Sequence, residues 1–109
     1  MNYVVVRNEK KHYLMPGTVV KHFKGGIYEI KEVAKYSEDH SKLMIVYTTV
    51  SPAPGQEFNK DGNTWVRPLD MFLSEVDREK YPDVEQKYRF EFIEEFRDNV
   101  EGELYFLQE

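Results

Sequence analysis

The chain has no cysteine, which excludes disulfides, cysteine-ligated zinc and thiol chemistry. It has no apolar run near the roughly 18–20 residues of a membrane-spanning helix, and its N-terminus lacks the charged, apolar and cleavage-site pattern of a secretory signal. The expectation is a soluble, cytoplasmic protein with no membrane partner. Positive charge is in short supply: 15 Lys and Arg against 20 Asp and Glu give a formal net charge of -5. Broad, sequence-blind binding to nucleic acid is therefore not expected, because it depends on Lys and Arg displacing counterions from phosphates. A local basic groove stays compatible with that total.

Glycine is sparse as well. The one adjacent pair, Gly25-Gly26, leads into a β-prone run, whereas phosphate-cradling loops open a helix. The pair reads as a hairpin turn. No Gly-x-Ser-x-Gly elbow is present, and Ser37 and Ser41 look like turn residues rather than nucleophiles. The three histidines, His12, His22 and His40, lack the spacing of a helical metal pair, so surface histidine is the expected fate. The carboxylates of Glu38-Asp39, Asp83 with Glu85, and Glu94-Glu95 fall in polar segments that read as solvated. No catalytic residue, metal or cofactor is expected.

What is plentiful is aromatic: eight Tyr and seven Phe favour strands over helices. At 109 residues the chain fits a single domain. Tyr3 to Val6 reads as an edge strand, free to pair with a second copy, so a monomer or weak dimer is expected. Thr18 to Lys24 and Ile27 to Lys35 flank the glycine pair as a hairpin. Leu43 to Tyr47, apolar on both faces, reads as a central strand. The proline- and glycine-bearing stretch from Ser51 to Asn63 is a long loop. Thr64 to Arg67 resumes a strand, with Trp65 and Arg67 on one face and Thr64 and Val66 on the other. Pro68 stops that strand and starts one helical turn, and Met71, Phe72 and Leu73 are expected in the core. Tyr88 to Phe92 fits a last strand better than a helix, while the tail past Glu94 leaves a helical turn or a further strand through Leu104 to Leu107 open.

His22-Phe23-Lys24-Gly25, Tyr28, Ala34, Ser37-Glu38, Val46-Tyr47, Trp65-Val66-Arg67-Pro68-Leu69 and Met71-Phe72 occur in order. By this ordered set the chain resembles the bacterial proteins called domain of unknown function 1653, over about 16–94. The N-terminal strand (1–15) and the extension (95–109) lie outside. The resemblance implies a mainly β fold, a small SH3-like barrel or roll with a short helical turn after Pro68, and no transferable activity. Tyr47, Trp65 and Arg67 match the family pattern residue by residue. Two departures stand out: Tyr36 occupies a place where histidine is usual, and the loop from Thr48 to Asn63 is longer and lacks a Leu-Tyr-Gly type turn.

One constellation carries binding chemistry. Trp65 and Tyr28 offer ring faces, Tyr47 a wall, Arg67 a fork for carboxylate or phosphate, and His22 and Lys24 rim donors. The plainer account has Trp65 capping the core and Arg67 paired with an acid such as Glu29 or Glu38. The expected function is a noncatalytic recognition module, for a peptide, a protein or a small aromatic or anionic ligand. A nucleotide or nucleic-acid reader and a small enzyme are the alternatives.

Overall fold

The computed structural model describes residues 1–98 and 104–108. Two antiparallel sheets make up the fold. Strands β1 (Tyr3–Arg7) and β2 (Lys10–Leu14) form a separate hairpin. Six strands, β3 (Val19–His22), β4 (Ile27–Tyr36), β5 (Asp39–Ser51), β6 (Thr64–Pro68), β7 (Phe90–Asp98) and β8 (Leu104–Gln108), form the main sheet. Their spatial order is β6-β5-β4-β3-β7-β8. No ladder joins β6 to β8 among the described residues, so the sheet is an open roll and not a closed barrel.

The expected edge strand at Tyr3 is instead one arm of a hairpin, closed through Asn8 and Glu9 at φ 52° and 66°. Two consecutive left-handed residues make the turn whose twist suits a two-residue hairpin loop. Between β3 and β4 the glycine pair does the same work: Gly25 sits at φ 106° and its N–H donates to the His22 carbonyl at 2.8 Å. Register shifts between Ile30 and Glu32 and between Ile27 and Tyr28 bend β4, since an extra residue on one strand kinks the ladder and increases its twist. The strand expected over Tyr88 to Phe92 is β7, which starts at Phe90, Tyr88 making only an isolated bridge to Glu75, and Leu104–Gln108 continues the sheet as β8, the strand alternative for the tail. The remainder of the tail lies outside the described residues.

Strand alternation puts Val20, Ile30, Ile45, Tyr47 and Phe90 on one face, where they are buried. The hairpin residues Val5 and Leu14 and the short helix α1 (Leu69–Phe72) cover that face. Phe72 stacks on Phe90 with ring centroids 4.1 Å apart, and Tyr47 meets Phe90 edge-on at 5.6 Å. Pro68 precedes α1 at φ -55° and ψ 135°; proline's fixed φ suits a helix entrance. The four-residue turn sends Leu69 and Phe72 inward. Met71, expected inside with them, is 46% exposed, because on so short a helix only residues three apart share the inward side.

The core face extends further than its cover. The cross-strand pairs Tyr47↔Trp65 and Ile45↔Arg67 place Trp65 and Arg67 on the same face as the core, on the outermost strand. His22 lies opposite Phe90, and Tyr28 opposite Val20. Here the apolar pattern gives way to rings and cations.

Candidate functional site

A cavity of about 250 Å³ opens where β3, β6 and the segment before β7 converge. Four cationic residues line it, Lys24, Arg67, Lys80 and Arg89, against one carboxylate, Asp77. The segment 74–89 brings Lys80 and Arg89 there. The Arg89 N–H donates to the Ser74 carbonyl at 2.9 Å, the Val76 N–H to the Lys87 carbonyl at 2.9 Å, and the Phe23 N–H to the Arg89 carbonyl at 3.0 Å. Gln86 Nε2 adds a bond to the Lys21 carbonyl at 3.1 Å. These bonds fix the excursion to β3 at its base.

His22 forms the floor, edge-on to Phe90 at 4.9 Å and tilted against Phe23 at 4.4 Å. Its Nδ1 accepts the Lys24 N–H at 3.1 Å, which assigns the proton of the neutral ring to Nε2. Burial first, then the charges of Arg67, Lys24 and Arg89, push its pKa down to about 4. The ring is therefore neutral at physiological pH and acts as a donor through Nε2. Tyr47, 5% exposed, lies beneath. Burial raises its hydroxyl pKa, opposed by the charge of Arg67 and by a hydrogen bond from that guanidinium to the Tyr47 oxygen.

No carboxylate is within ion-pair distance of any of the four cations among the described residues. Glu29, a candidate partner for Arg67, bonds Lys31 instead. Arg67 lies 6.0 Å from the centre of the Phe90 ring, and the Lys24 ammonium 5.3 Å from that of Tyr81. Arg89 Nε is buried with no hydrogen-bond partner among the described residues, and an unmet buried donor costs roughly 1–3 kcal/mol, more on a charged group. The Asp77 carboxylate at the rim is partly committed, since its Oδ1 accepts the Glu79 N–H at 3.0 Å. The arrangement gathers four cations around one carboxylate on an acidic chain, with no ion pair to any of the four among the described residues, which makes the local potential positive.

Trp65 does not cap the core. It is 42% exposed, its Nε1 donates to Thr49 Oγ1 at 2.9 Å, and its ring borders a second, wider cavity of about 720 Å³ together with Tyr28 and the loop 52–63. That loop has its own order: Asn63 exchanges bonds with the Asn59 backbone at 2.8 and 3.2 Å, and Ala53 is buried. It also docks on the glycine turn, where a Cβ on Gly25 would lie 2.8 Å from Pro54. Of the six residues singled out from the sequence, His22, Lys24 and Arg67 line the cationic cavity, Tyr28 and Trp65 the aromatic one, and Tyr47 lies under both. Arg89 and Lys80 belong to the cationic set and were not singled out from the sequence: Lys80 sits in an unpatterned polar stretch, and Arg89 falls on the polar side of the alternation read as the Tyr88 to Phe92 strand.

A second polar cluster corrects the expectation that Glu94-Glu95 is solvated. Glu95 is 3% exposed and hydrogen-bonds His12 Nδ1, while the His12 ring stacks on Phe92 at 4.6 Å. Arg7 is buried beside it, 3.7 Å over the Tyr88 ring, donating to the Phe90 carbonyl at 3.0 Å. Burial pulls the Arg7 pKa down, and Glu91, Tyr88 and Glu95 oppose that shift. No signal in the sequence links His12 to Glu95, which the fold joins across 83 residues.

No curated protein and no solved structure matches the chain. A family profile does match, over residues 18–92, which include β3 to α1, the segment that carries Lys80 and Arg89, and the start of β7. The described site residues all fall inside that stretch, whereas the N-terminal hairpin falls outside it. The chain thus belongs to the family described as protein of unknown function (DUF1653).

Proposed function

We propose that this protein is a noncatalytic recognition module whose aromatic-plus-arginine face takes a ligand bearing a negative charge. The observation that carries the reading is Arg67 held without a carboxylate partner among the described residues, in a cavity shared with Lys24, Lys80 and Arg89. Structural arginines inside folded domains are normally paired, because an uncompensated charge near the interior is costly. His22 supports a binding role over a catalytic one: with a pKa of about 4 it is a weak base near neutral pH. The cysteine-free chain suits a cytoplasmic setting.

The exposed Trp65 ring on the same strand as Arg67 favours, as a second reading, a nucleotide or the end of a single strand, since bases stack on such rings while the phosphate meets the cations. A chemical-shift perturbation screen against nucleotides, short single-stranded RNA and DNA, acidic peptides, and proline-rich or basic peptides tests both. Shifts centred on Arg67, Lys24 and Trp65 with anionic compounds are expected. Silence of these residues against every class would sink the recognition reading.

A further inference from the structure

The cationic cavity has a second property besides its charge: its side-chain lining is almost entirely hydrogen-bond donor. Arg67 and Arg89 offer guanidinium forks and no acceptor, and the two lysines offer ammonium donors. His22, with Nδ1 occupied by the Lys24 N–H, has only the Nε2 proton left to give. Acceptor capacity is confined to the rim, in the Tyr81 hydroxyl and in Asp77, whose Oδ1 already takes the Glu79 N–H. A ligand oxygen that carries its own proton can still accept from these donors but finds few side-chain acceptors for that proton, while a bare oxygen is served by donors alone.

We propose that this cavity is a site for the dianionic head of a phosphate monoester, with Arg89 and Arg67 as its forked ligands and His22 as a neutral donor. The assignment rests on the recognition reading above and specifies its ligand. Two arginines suit a group with three terminal oxygens better than a carboxylate with two. Arg89 lines the cavity, and its Nε, buried and unpartnered among the described residues, shows that the protein itself leaves this guanidinium incompletely bonded. A cavity of about 250 Å³ has room for a phosphoryl group and a short stem, and the rest of the molecule would project outward, a nucleotide base toward Trp65 or a sugar toward solvent.

The selectivity follows from proton counting. A phosphate monoester loses its second proton near pH 6, so binding should tighten as pH rises from 5 to 7.5, by roughly tenfold in Kd, as the dianion fraction grows. Sulfate is a dianion across that range and its affinity should stay level. The other charged or titratable groups that face the ligand are Lys24, Lys80, Arg67, Arg89, Tyr81 and Asp77; sulfate meets the same groups and so controls for any change in their charge. Were a protonated His22 the real anion ligand, both probes would bind more tightly at pH 5.

The experiment is calorimetric titration of the whole chain with adenosine 5′-monophosphate, ribose 5-phosphate, sulfate and acetate at pH 5 and pH 7.5, with NMR detection of the arginine side chains. Both monoesters should bind better at the higher pH, and a preference for the nucleotide over the sugar phosphate would identify the nucleotide as the source. Arg89→Lys, which keeps the charge and loses the Nε donor, should weaken the monoester by about tenfold or more. Lys80→Gln at the exposed rim should weaken it only about twofold to fivefold, and melts without ligand check that each variant folds. Tighter monoester binding at pH 5, or an Arg89→Lys variant that folds and binds as the parent does, overturns the assignment. If acetate moves the Arg67 signals and the monoesters do not, the phosphate assignment fails and the recognition face stands. If no anion moves them, both fail.

Discussion

Two histidines separate two kinds of polar cluster in this small sheet. His12 is held against the buried Glu95 carboxylate, next to Arg7, so that opposite charges and hydrogen bonds meet within the fold. His22 stands among Arg67, Lys24 and Arg89, like charges with no carboxylate near enough to pair among the described residues. Both rest on phenylalanines of the same strand, Phe92 under one and Phe90 beside the other. What differs is closure. The first cluster is complete in itself and reads as structure that seats the N-terminal hairpin on β7; the second has no carboxylate in ion-pair reach among the described residues, and on the proposed reading an anion from outside completes it. A polar cluster on its own does not mark a site; one that the protein leaves electrically unbalanced does.

Breaking the closed cluster should have the largest effect. Glu95→Ala leaves the half-buried His12 without its carboxylate and the buried Arg7 with Glu91 as its nearby acid, and should cost about 3 kcal/mol, read as a shift in the urea midpoint at unchanged slope. A loss under about 1 kcal/mol would show that the pair is an ordinary surface contact. Next comes the glycine turn that carries Lys24. Gly25→Ala forces a Cβ onto a residue at φ 106° and within 2.8 Å of Pro54, and should cost about 1–3 kcal/mol. It should also loosen loop 52–63, visible as faster amide exchange at Gln56 and Thr49, whose N–H groups are bonded there.

The pH dependence sharpens the contrast. The folded His22 pKa of about 4 lies below its ordinary 6.5, so between these values the unfolded chain takes up a proton that the folded chain refuses. Stability from this group is full above about 6.5, is lost as pH falls toward about 4, and changes no further below that. His22→Gln should flatten the stability profile over that window relative to the parent; an unchanged slope would mean that His22 is protonated as easily in the fold as out of it. A smaller effect on folding is expected for Trp65→Ala. Its ring is exposed, with Tyr47 opposite and one surface hydrogen bond to Thr49, so the loss should be about 1 kcal/mol, while nucleotide binding should weaken several-fold as the stacking surface is removed.

Much of this architecture was legible in the chain. Period-two alternation and the Gly25-Gly26 pair specify the β3–β4 hairpin, and Pro68 after Trp65-Val66-Arg67 specifies a strand that ends in a helical turn, because each depends on neighbours a few residues away. The first hairpin was hidden: Asn8-Glu9 places a glutamate at φ 66°, where the usual sequence signal is glycine. Roll closure was also beyond reach, because whether β6 meets β8 depends on how far the bulges in β4 bend the sheet. The site was half legible. Trp65 and Arg67 announce themselves on one face of a short strand, but Arg89 enters through hydrogen bonds between segments more than sixty residues apart, from Phe23 to Arg89 and from Gln86 to Lys21. Glu95 looked solvated beside Glu94 because its partner His12 comes from the other end of the chain.

The central claim, that the charge around His22 is held for a ligand and not for the fold, is tested most directly by the stability of Arg67→Gln measured beside the parent at low salt, with and without a phosphate monoester. The account predicts a variant as stable as the parent or slightly more so, since a repelling cation is gone, and one that has lost the stabilisation by the monoester that the parent shows. A variant destabilised by several kcal/mol without ligand would make Arg67 a structural residue and contradict the account.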